Sequence, residues 1–281
     1  MTGGTVAALV PAAGRGERLG GGLPKALREI GGIPMLVHAV RSLLAAPSVG
    51  LVVVAAPAEH LERIRALLAA GGVDGVGCAD GDGVGCADGD GVGCADGDGV
   101  GCADGDGVGC ADGDGVGCAV VAGGPTRAQS VRRALAALPA GGDADVVLVH
   151  DAARPFVPAS VVEAVVAAVR SGHDAVVPVL PLPDTVKRVA PDGRVLETVT
   201  REHLYGAQTP QGFRSGLLRA AHCDDQPTAT DDAVLVERMG LPVWTVPGSE
   251  QAFKVTTPAD LVRAEALLAG AAAERAGRPQ Q

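Results

Sequence analysis

Short runs rich in valine and leucine alternate with segments of helical period along most of this chain, and that alternation narrows the possible folds more than any other feature. The runs "TVAALVP" from 5, "GLVVVAAP" from 50, "AVVAGG" from 119, "ADVVLVHDAARP" from 144 and "DAVVPVLP" from 174 begin apolar on both faces. Between them lie "PMLVHAVRSLLAA" from 34, "AEHLERIRALLAA" from 58, "RAQSVRRALAAL" from 127 and "ASVVEAVVAAVRSG" from 159, each with an apolar stripe. Strands that are apolar on both sides need cover on both sides, which amphipathic crossover helices supply. The sequence therefore predicts an α/β domain built on a doubly wound, mostly parallel, Rossmann-like sheet.

The pattern changes at residue 184. "DTVKRVAPDGRVLETVT" reads as two β-branched arms around a "PDGR" turn, a protruding β-hairpin over 184–200 that is too polar to be a central strand pair. A helix is expected from about 214, then another in "TATDDAVLVERMG" capped by Thr230 or Asp231. The strand "LPVWTVP", the short "AFKVTTP" and a closing helix from 258 follow. One domain is expected over residues 1–270, with 271–281 as a C-terminal tail.

Residues 75–114 repeat the octad "GVGCADGD" five times, and the tract distorts the bulk properties of the chain. It holds ten of the 33 acidic residues, so the net charge of −10 is local, and the remaining 23 acids balance the 23 lysines and arginines. A neutral body offers no stripe for nucleic acid or for a charged membrane surface, and five aromatic residues in 281 are too few for a base-stacking platform. No apolar run approaches the roughly 18–20 residues that cross a bilayer, and "MTGGTVAALV" lacks the basic start of a secretion signal, so a soluble cytoplasmic protein is expected. Cysteines at 78, 86, 94, 102, 110 and 118 are too widely spaced for the usual zinc motif, and the octad lacks the glutamate of an EF-hand calcium loop. The tract reads as an expanded, dispensable surface loop between a helix and a strand, since loop-closure entropy rises slowly with length. A stacked β-like array or weak metal binding is the other reading.

"LVPAAGRGERLGGGLPKAL", residues 9–27, runs from a strand into a glycine-rich loop carrying Arg15, Arg18 and Lys25. A dinucleotide fingerprint would open a helix directly and would need an acid at the end of the second strand, where "LVVVAAPAEH" places none. A Walker A loop fails as well, because "GLPKA" has no glycine before the lysine and no hydroxyl after it. What remains is a flexible anion loop whose backbone N–H groups and cations suit a triphosphate. With 20 arginines the chain keeps only Lys25, Lys187 and Lys254, a hint that a compact ammonium is wanted at some of these positions.

Seven segments then occur in a telling order: "PAAGRGERLGGGLPKAL" at 11, "AGGPTRAQSV" at 122, "VLVHDAARPFV" at 147, "PLPDTVKRV" at 181, "QTPQGF" at 208, "TDDAVLVERMG" at 230 and "FKVTTPADL" at 253. They resemble the 2-C-methyl-D-erythritol 4-phosphate cytidylyltransferase family of the nonmevalonate isoprenoid pathway, over about residues 5–270 apart from the repeats. The resemblance implies a nucleotidyltransferase-type fold and transfer of CMP from CTP to the polyol phosphate, with release of pyrophosphate. It implies Mg²⁺ held mainly by the CTP phosphates, with no protein metal ligands, and a homodimer formed through the 184–200 arm. Ribitol 5-phosphate cytidylyltransferase is the close alternative. A non-catalytic protein binding calcium or a partner through the repeats is the alternative of another class.

The same resemblance assigns residues. Arg18 and Lys25 would stabilise the transition state, and Lys254 would position the attacking phosphate. Ala12, Ala13, Gly14, Gly124 and Ser130 would hold cytosine, although Pro125 beside them has no N–H to offer. Asp151, Ala152 and Arg154 of "HDAARP" would bind the acceptor, the Arg154 guanidinium supporting either phosphate or loop geometry. Thr185 and Arg201, flanking the arm, would complete a neighbouring subunit's acceptor site, Arg201 with a catalytic part. Thr209 and Thr230 are further substrate-contact candidates, and helix capping explains Thr230 equally well. Lys187 is expected to be solvated, while His150, His203 and Cys223 have no expected role beyond core or surface placement.

Overall fold

A computed structural model describes residues 5–14, 24–73, 75–78, 117–138, 144–223 and 231–276. In chain order the first half forms β1 (Val6–Pro11), a small hairpin of β2 (Glu29–Ile30) and β3 (Ile33–Pro34), then α1 (Met35–Leu44), β4 (Val49–Ala56), α2 (Leu61–Ala70) and β5 (Val76–Cys78). Next come β6 (Gly117–Ala122), α3 (Arg127–Ala136), β7 (Val146–Val149), α4 (Ala159–Arg170) and β8 (Ala175–Pro181). The remainder comprises β9 (Val186–Val189), β10 (Val195–Val199), β11 (Tyr205–Ala207), β12 (Gln211–Arg214), α5 (Ser215–Ala221), α6 (Ala233–Arg238), β13 (Trp244–Pro247) and α7 (Pro258–Ala276).

Among the described residues the main sheet has nine strands in the order β11-β8-β12-β7-β1-β4-β6-β5, with β13 parallel to β8. β7, β1, β4, β6 and β5 run parallel, as the two-faced apolar runs require. Because strand side chains alternate between faces, each strand feeds two cores. Val6, Ala8 and Val10 of β1 and Val52 and Val54 of β4 pack with Leu36, Val40 and Leu43 of α1, Ile64 and Leu68 of α2, and the valines of α4. Their neighbours Ala7, Leu9, Val53 and Ala55 pack with Val131 and Leu135 of α3, Leu218 of α5 and Val236 of α6. Helices thus cover both faces, and the predicted doubly wound architecture is the one observed.

Two strands differ from the sequence reading. β12 lies antiparallel between β7 and β8, in a segment whose glutamines and glycine masked its burial. Phe213 is fully buried there, and a Cβ at Gly212 would strike Val165 of α4, so only glycine lets that helix settle on the strand. β5 is the start of the first octad, paired in parallel with β6 so that Val76 faces Cys118. The loop expected from residue 75 therefore starts with three residues of edge strand, because "VGC" is as able to extend a sheet as the same letters leading into β6. Cys118, the last cysteine of the series, is a core residue whose thiol burial pushes up to about 12, leaving it inert. The other repeat residues lie outside the described residues.

The arm forms as predicted: β9 and β10 pair antiparallel as a separate two-stranded sheet, with Gly193 at φ 87° in the turn. Asp231 caps α6, its carboxylate accepting from the Val234 N–H at 3.1 Å, whereas Thr230 lies outside the described residues. α7 starts on Pro258 and continues to Ala276, six residues into the expected tail, because an alanine-rich run favours its continuation. Its start is fixed by Asp260, whose carboxylate accepts from the Thr256 and Thr257 N–H groups at 2.8 Å each. Burial works against ionisation there, but those hydrogen bonds win and bring Asp260 down to about 2.

Candidate active site

In an open parallel sheet the ligand crevice lies at the carboxyl ends of the strands, beside the point where the winding reverses. Here that point is beside β1, with β4 and β6 on one side and β7 on the other. A cavity of about 490 Å³ opens there, and the loops after β1, β6 and β7 all reach it. Of the residues expected to hold base and phosphate, Ala12, Ala13, Gly14, Lys25, Gly124 and Ser130 line the cavity. Asp151, Ala152 and Lys254 of the expected acceptor side line it too.

The slot on the β1 and β6 side is narrow because its residues are small. A Cβ on Gly123 would sit 2.6 Å from that of Ala13, and one on Gly124 would run into the Gln129 Cβ at the start of α3. The Thr126 hydroxyl accepts from the Gln129 N–H and the Gln129 side chain accepts from the Thr126 N–H, each at 3.1 Å, a capping box that fixes where α3 begins. Ser130 folds its hydroxyl back into this turn, accepting from the Gly124 N–H at 3.1 Å and lying 3.0 Å from the Thr126 carbonyl. Its first task is therefore to shape the slot.

Lys25 is placed from below. Ala26 and Leu27, only 5% and 4% exposed, plug into the main core, and Leu27 donates to the Pro24 carbonyl at 2.9 Å. The β2–β3 hairpin that follows turns on Gly31 and Gly32, with φ of 59° and 76°. A side chain at Gly31 would come within 2.5 Å of Leu268, so glycine serves both the turn and the packing of α7. Arg18 lies outside the described residues.

Across the cavity, Asp151 accepts from Lys254 Nζ at 2.7 Å and lies 3.5 Å from Arg127 Nε. Burial alone would favour the neutral acid, yet the Arg127 guanidinium and the Lys254 ammonium hold Asp151 well below the usual carboxylate range. The Lys254 segment is tied to the Asp151 loop by the Val255 N–H donating to the Ala153 carbonyl at 2.8 Å. Arg154 does not line the cavity: its Nη1 donates to the Ala252 carbonyl at 2.7 Å and its Nη2 to that of Ala207 at 3.2 Å. Of its two expected uses the structure shows the loop-supporting one, since backbone carbonyls of converging segments occupy the guanidinium.

Thr209 sits behind Asp151 and is 4% exposed. Its Oγ1 accepts from the Asp151 N–H at 3.1 Å and donates to His150 Nδ1 at 3.1 Å, outside the cavity lining. His150 Nε2 donates to the Arg154 carbonyl at 3.0 Å, so the buried ring is neutral with both nitrogens used. Burial pushes His150 down from 6.5 to about 4. Between those pH values the unfolded chain takes up a proton that the native chain refuses, so the ring's contribution is complete above pH 6.5 and drains away as pH falls to 4. At about 1.4 kcal/mol per unit this is about 3 kcal/mol. Urea titrations between pH 7 and 4 are expected to lose that much stability, and His150→Gln is expected to flatten the slope.

Thr185 and Arg201 are not brought to the cavity within one chain. Both are exposed at the base of the arm, where Arg201 Nη1 donates to the carbonyls of Leu182 and Pro183. Lys187 is exposed as expected, and of the three residues left between core and surface His203 and Cys223 are exposed while His150 is buried. Sequence reasoning missed Arg127, Thr126 and Thr256 in the wall. Arg127 stood inside the quoted "GGPTRAQSV", and its position at the start of a helix, where a cation opposes the helix dipole, was the available signal.

A slot of small residues set against Lys25, Arg127 and Lys254, at the reversal point of a doubly wound sheet, suits a phosphorylated ligand of the nucleotide kind. Comparison narrows it, for the family model IspD, 2-C-methyl-D-erythritol 4-phosphate cytidylyltransferase, matches residues 6–81 and 113–270. The chain belongs to that family. It is 49% identical over 264 residues to the 2-C-methyl-D-erythritol 4-phosphate cytidylyltransferase of Frankia casuarinae, covering 94% of this chain and 81% of the relative. The crystal structure of the protein of that name from Thermus thermophilus is 33% identical, with a TM-score of 0.62 over 94% of this chain and 98% of its own. The 4-diphosphocytidyl-2C-methyl-D-erythritol synthase of Anaerococcus prevotii, at 24% identity, shares the fold with a TM-score of 0.68, over 95% and 99% of the two chains. Neither the ribitol phosphate alternative nor a silent binding protein is favoured by these likenesses. The unmatched residues 82–112 fall wholly within the octad tract. Deleting residues 75–114, which removes the three-residue edge strand β5 with the octads and leaves one "GVGC" leading into β6, is expected to keep kcat/KM within about twofold and unfolding cooperative.

Proposed function

We propose that the chain transfers CMP from CTP to 2-C-methyl-D-erythritol 4-phosphate, giving 4-diphosphocytidyl-2-C-methyl-D-erythritol and pyrophosphate for isoprenoid precursor biosynthesis. The observation that carries the reading is the meeting of Lys25, Asp151 and Lys254 in one cavity with the slot of Ala12, Ala13, Gly14 and Gly124. A phosphate monoester is already ionised near pH 7, so its oxygen attacks the α-phosphorus of CTP without a strong general base. The new P–O bond forms as the bond to the bridging oxygen breaks, and that electron pair leaves with pyrophosphate. Catalysis then rests on positioning and on charge stabilisation.

Lys25 takes charge that builds on the α- and β-phosphates, and Arg18 is assigned the same part from its motif. Lys254, with a side chain 45% exposed, reaches for the acceptor phosphate, while Asp151 accepts hydrogen bonds from polyol hydroxyls. The slot accommodates the smaller ring of cytosine more readily than a purine. Asp151 is the cavity's acid among the described residues and is committed to two cations, and no group of three potential metal ligands occurs among those residues. The described residues therefore offer no cage for Mg²⁺, and in this reading any such ion would be held mainly by the triphosphate oxygens.

The active unit in this reading is a homodimer. Val189, Val195 and Leu196 on the arm are 51%, 55% and 55% exposed, and an isolated hairpin is marginal in water, so a second copy that covers it accounts for both. Thr185 and Arg201 would then complete the neighbouring acceptor site. Sedimentation equilibrium giving the monomer mass at working concentration would contradict this. No described helix is long and apolar enough to cross a membrane. Pyrophosphate release from CTP across a panel of acceptor phosphates tests the function. Turnover with methylerythritol phosphate is expected, and turnover with ribitol 5-phosphate alone would replace the acceptor.

A further inference from the structure

Arg127 stands where a cation is least welcome. It opens α3, whose first turn contains no acid, so its charge meets the positive end of the helix dipole. Two carboxylates reverse the balance: Nη2 lies 2.7 Å from Asp232 Oδ2, and Nε lies 3.5 Å from Asp151 Oδ1. Asp232 is 1% exposed, and its Oδ1 is held at 3.0 Å by Nε2 of the buried His222. Asp151 in turn accepts from Lys254 at 2.7 Å. Charged and polar groups therefore run without a break from His222 after α5, through Asp232, Arg127 and Asp151, to Lys254 in the cavity wall. Replacing a buried ionic network by apolar groups is often neutral for stability, so stability alone explains this one poorly.

We infer that Arg127, held from behind by the His222–Asp232 pair, is a positioning residue that aims the Asp151 carboxylate at the acceptor and remains its counter-ion when Lys254 leaves for the substrate phosphate. The inference rests on the acceptor reading of Asp151 given above. The two cations on Asp151 are unequal. Among the described residues Lys254 has one carboxylate partner and a side chain 45% exposed, whereas Arg127 is 29% exposed and is anchored by a second carboxylate. Lys254 can therefore move while Arg127 stays. Without Arg127, that movement would strand an ionised carboxylate with 14% exposure, and Lys254 would be kept where it is.

Steady-state kinetics with CTP and methylerythritol phosphate varied separately test this on Arg127→Lys, His222→Phe and His222→Gln, each checked for cooperative thermal unfolding. An ammonium keeps the charge of Arg127 but cannot fork to two carboxylates. Arg127→Lys is expected to raise the KM for the polyol phosphate about tenfold or more and to leave that for CTP within about twofold. His222→Phe should move the same constant about threefold, and His222→Gln, whose amide can still donate to Asp232, should restore it. A folded Arg127→Lys or His222→Phe variant with the wild-type acceptor KM overturns the inference. So does a parallel rise of both KM values, which is what a purely structural clip would give. If Arg127→Lys does not fold, the His222 pair decides alone. A wild-type enzyme that releases no pyrophosphate from these two substrates removes the parent reading and the inference together, whereas an active wild type with unaffected variants removes the inference only.

Discussion

Replacing Lys25 by alanine is expected to lower kcat at least about 100-fold, with little change in the substrate KM values and no loss of the fold. The size of the effect follows from when the charge is needed. In the ground state the phosphates of CTP can be neutralised by solvent cations, but the negative charge that builds between the α- and β-phosphates exists only in the transition state. The structural cost should be small because the segment is anchored by its neighbours: Ala26 and Leu27 are buried in the core, and Pro24 and Arg28 close the turn through backbone bonds. Thermal unfolding is the control. A folded Lys25→Ala variant with near-normal kcat would remove Lys25 from the mechanism.

Asp151→Asn is expected to lower kcat/KM for the acceptor about 30-fold or more, as fits one lost charged hydrogen bond and a misplaced lysine. The amide keeps the shape of the carboxylate but has one acceptor oxygen and no charge, so it cannot hold both Arg127 and Lys254, now 3.5 Å and 2.7 Å from the two oxygens. Arg127 keeps Asp232, so the wall should not collapse. The CTP dependence is the discriminating readout, because in this reading the base lies against the loops after β1 and β6, whereas Asp151 stands on the loop after β7. If the KM for CTP rises by the same factor as that for the acceptor, Asp151 supports the wall in general and has no special relation to the acceptor.

The parts of this molecule that could be read from the sequence are those where one physical rule acts alone. Val6 to Val10 and Val52 to Ala56 read as strands because nothing but a covered sheet can bury both faces of such runs. The arm over 184–200 read correctly because a "PDGR" turn between β-branched arms has one simple use. β12 did not, since Gln211 is buried only because its amide N–H donates to Asp231 and its side-chain oxygen accepts from the N–H of Ala233, 22 residues away. Tertiary satisfaction of that kind leaves no local trace.

The site divides the same way. Ala12 to Gly14, Lys25, Gly124, Asp151 and Lys254 lie in motif loops that the topology must bring to one edge, and they share the cavity. Arg154 and Thr209 sit one layer back, a distinction set by where Ala252, Ala207 and the Asp151 N–H happen to fall. Arg127 was legible in principle, yet the carboxylates that make its position tolerable come from two segments far away in the chain. Thr185 and Arg201 are exposed at the base of the arm, outside the cavity lining of their own chain, and their part in an acceptor site belongs to the proposed dimer.

The most direct test of the whole account is a crystal structure with CTP bound. The account predicts the cytosine ring between the Ala12–Gly14 segment and the Gly124–Ser130 turn, with the triphosphate within hydrogen-bonding distance of Lys25 and the α-phosphate facing Lys254. Density for the nucleotide elsewhere on the molecule, or a triphosphate turned away from both lysines, would contradict it.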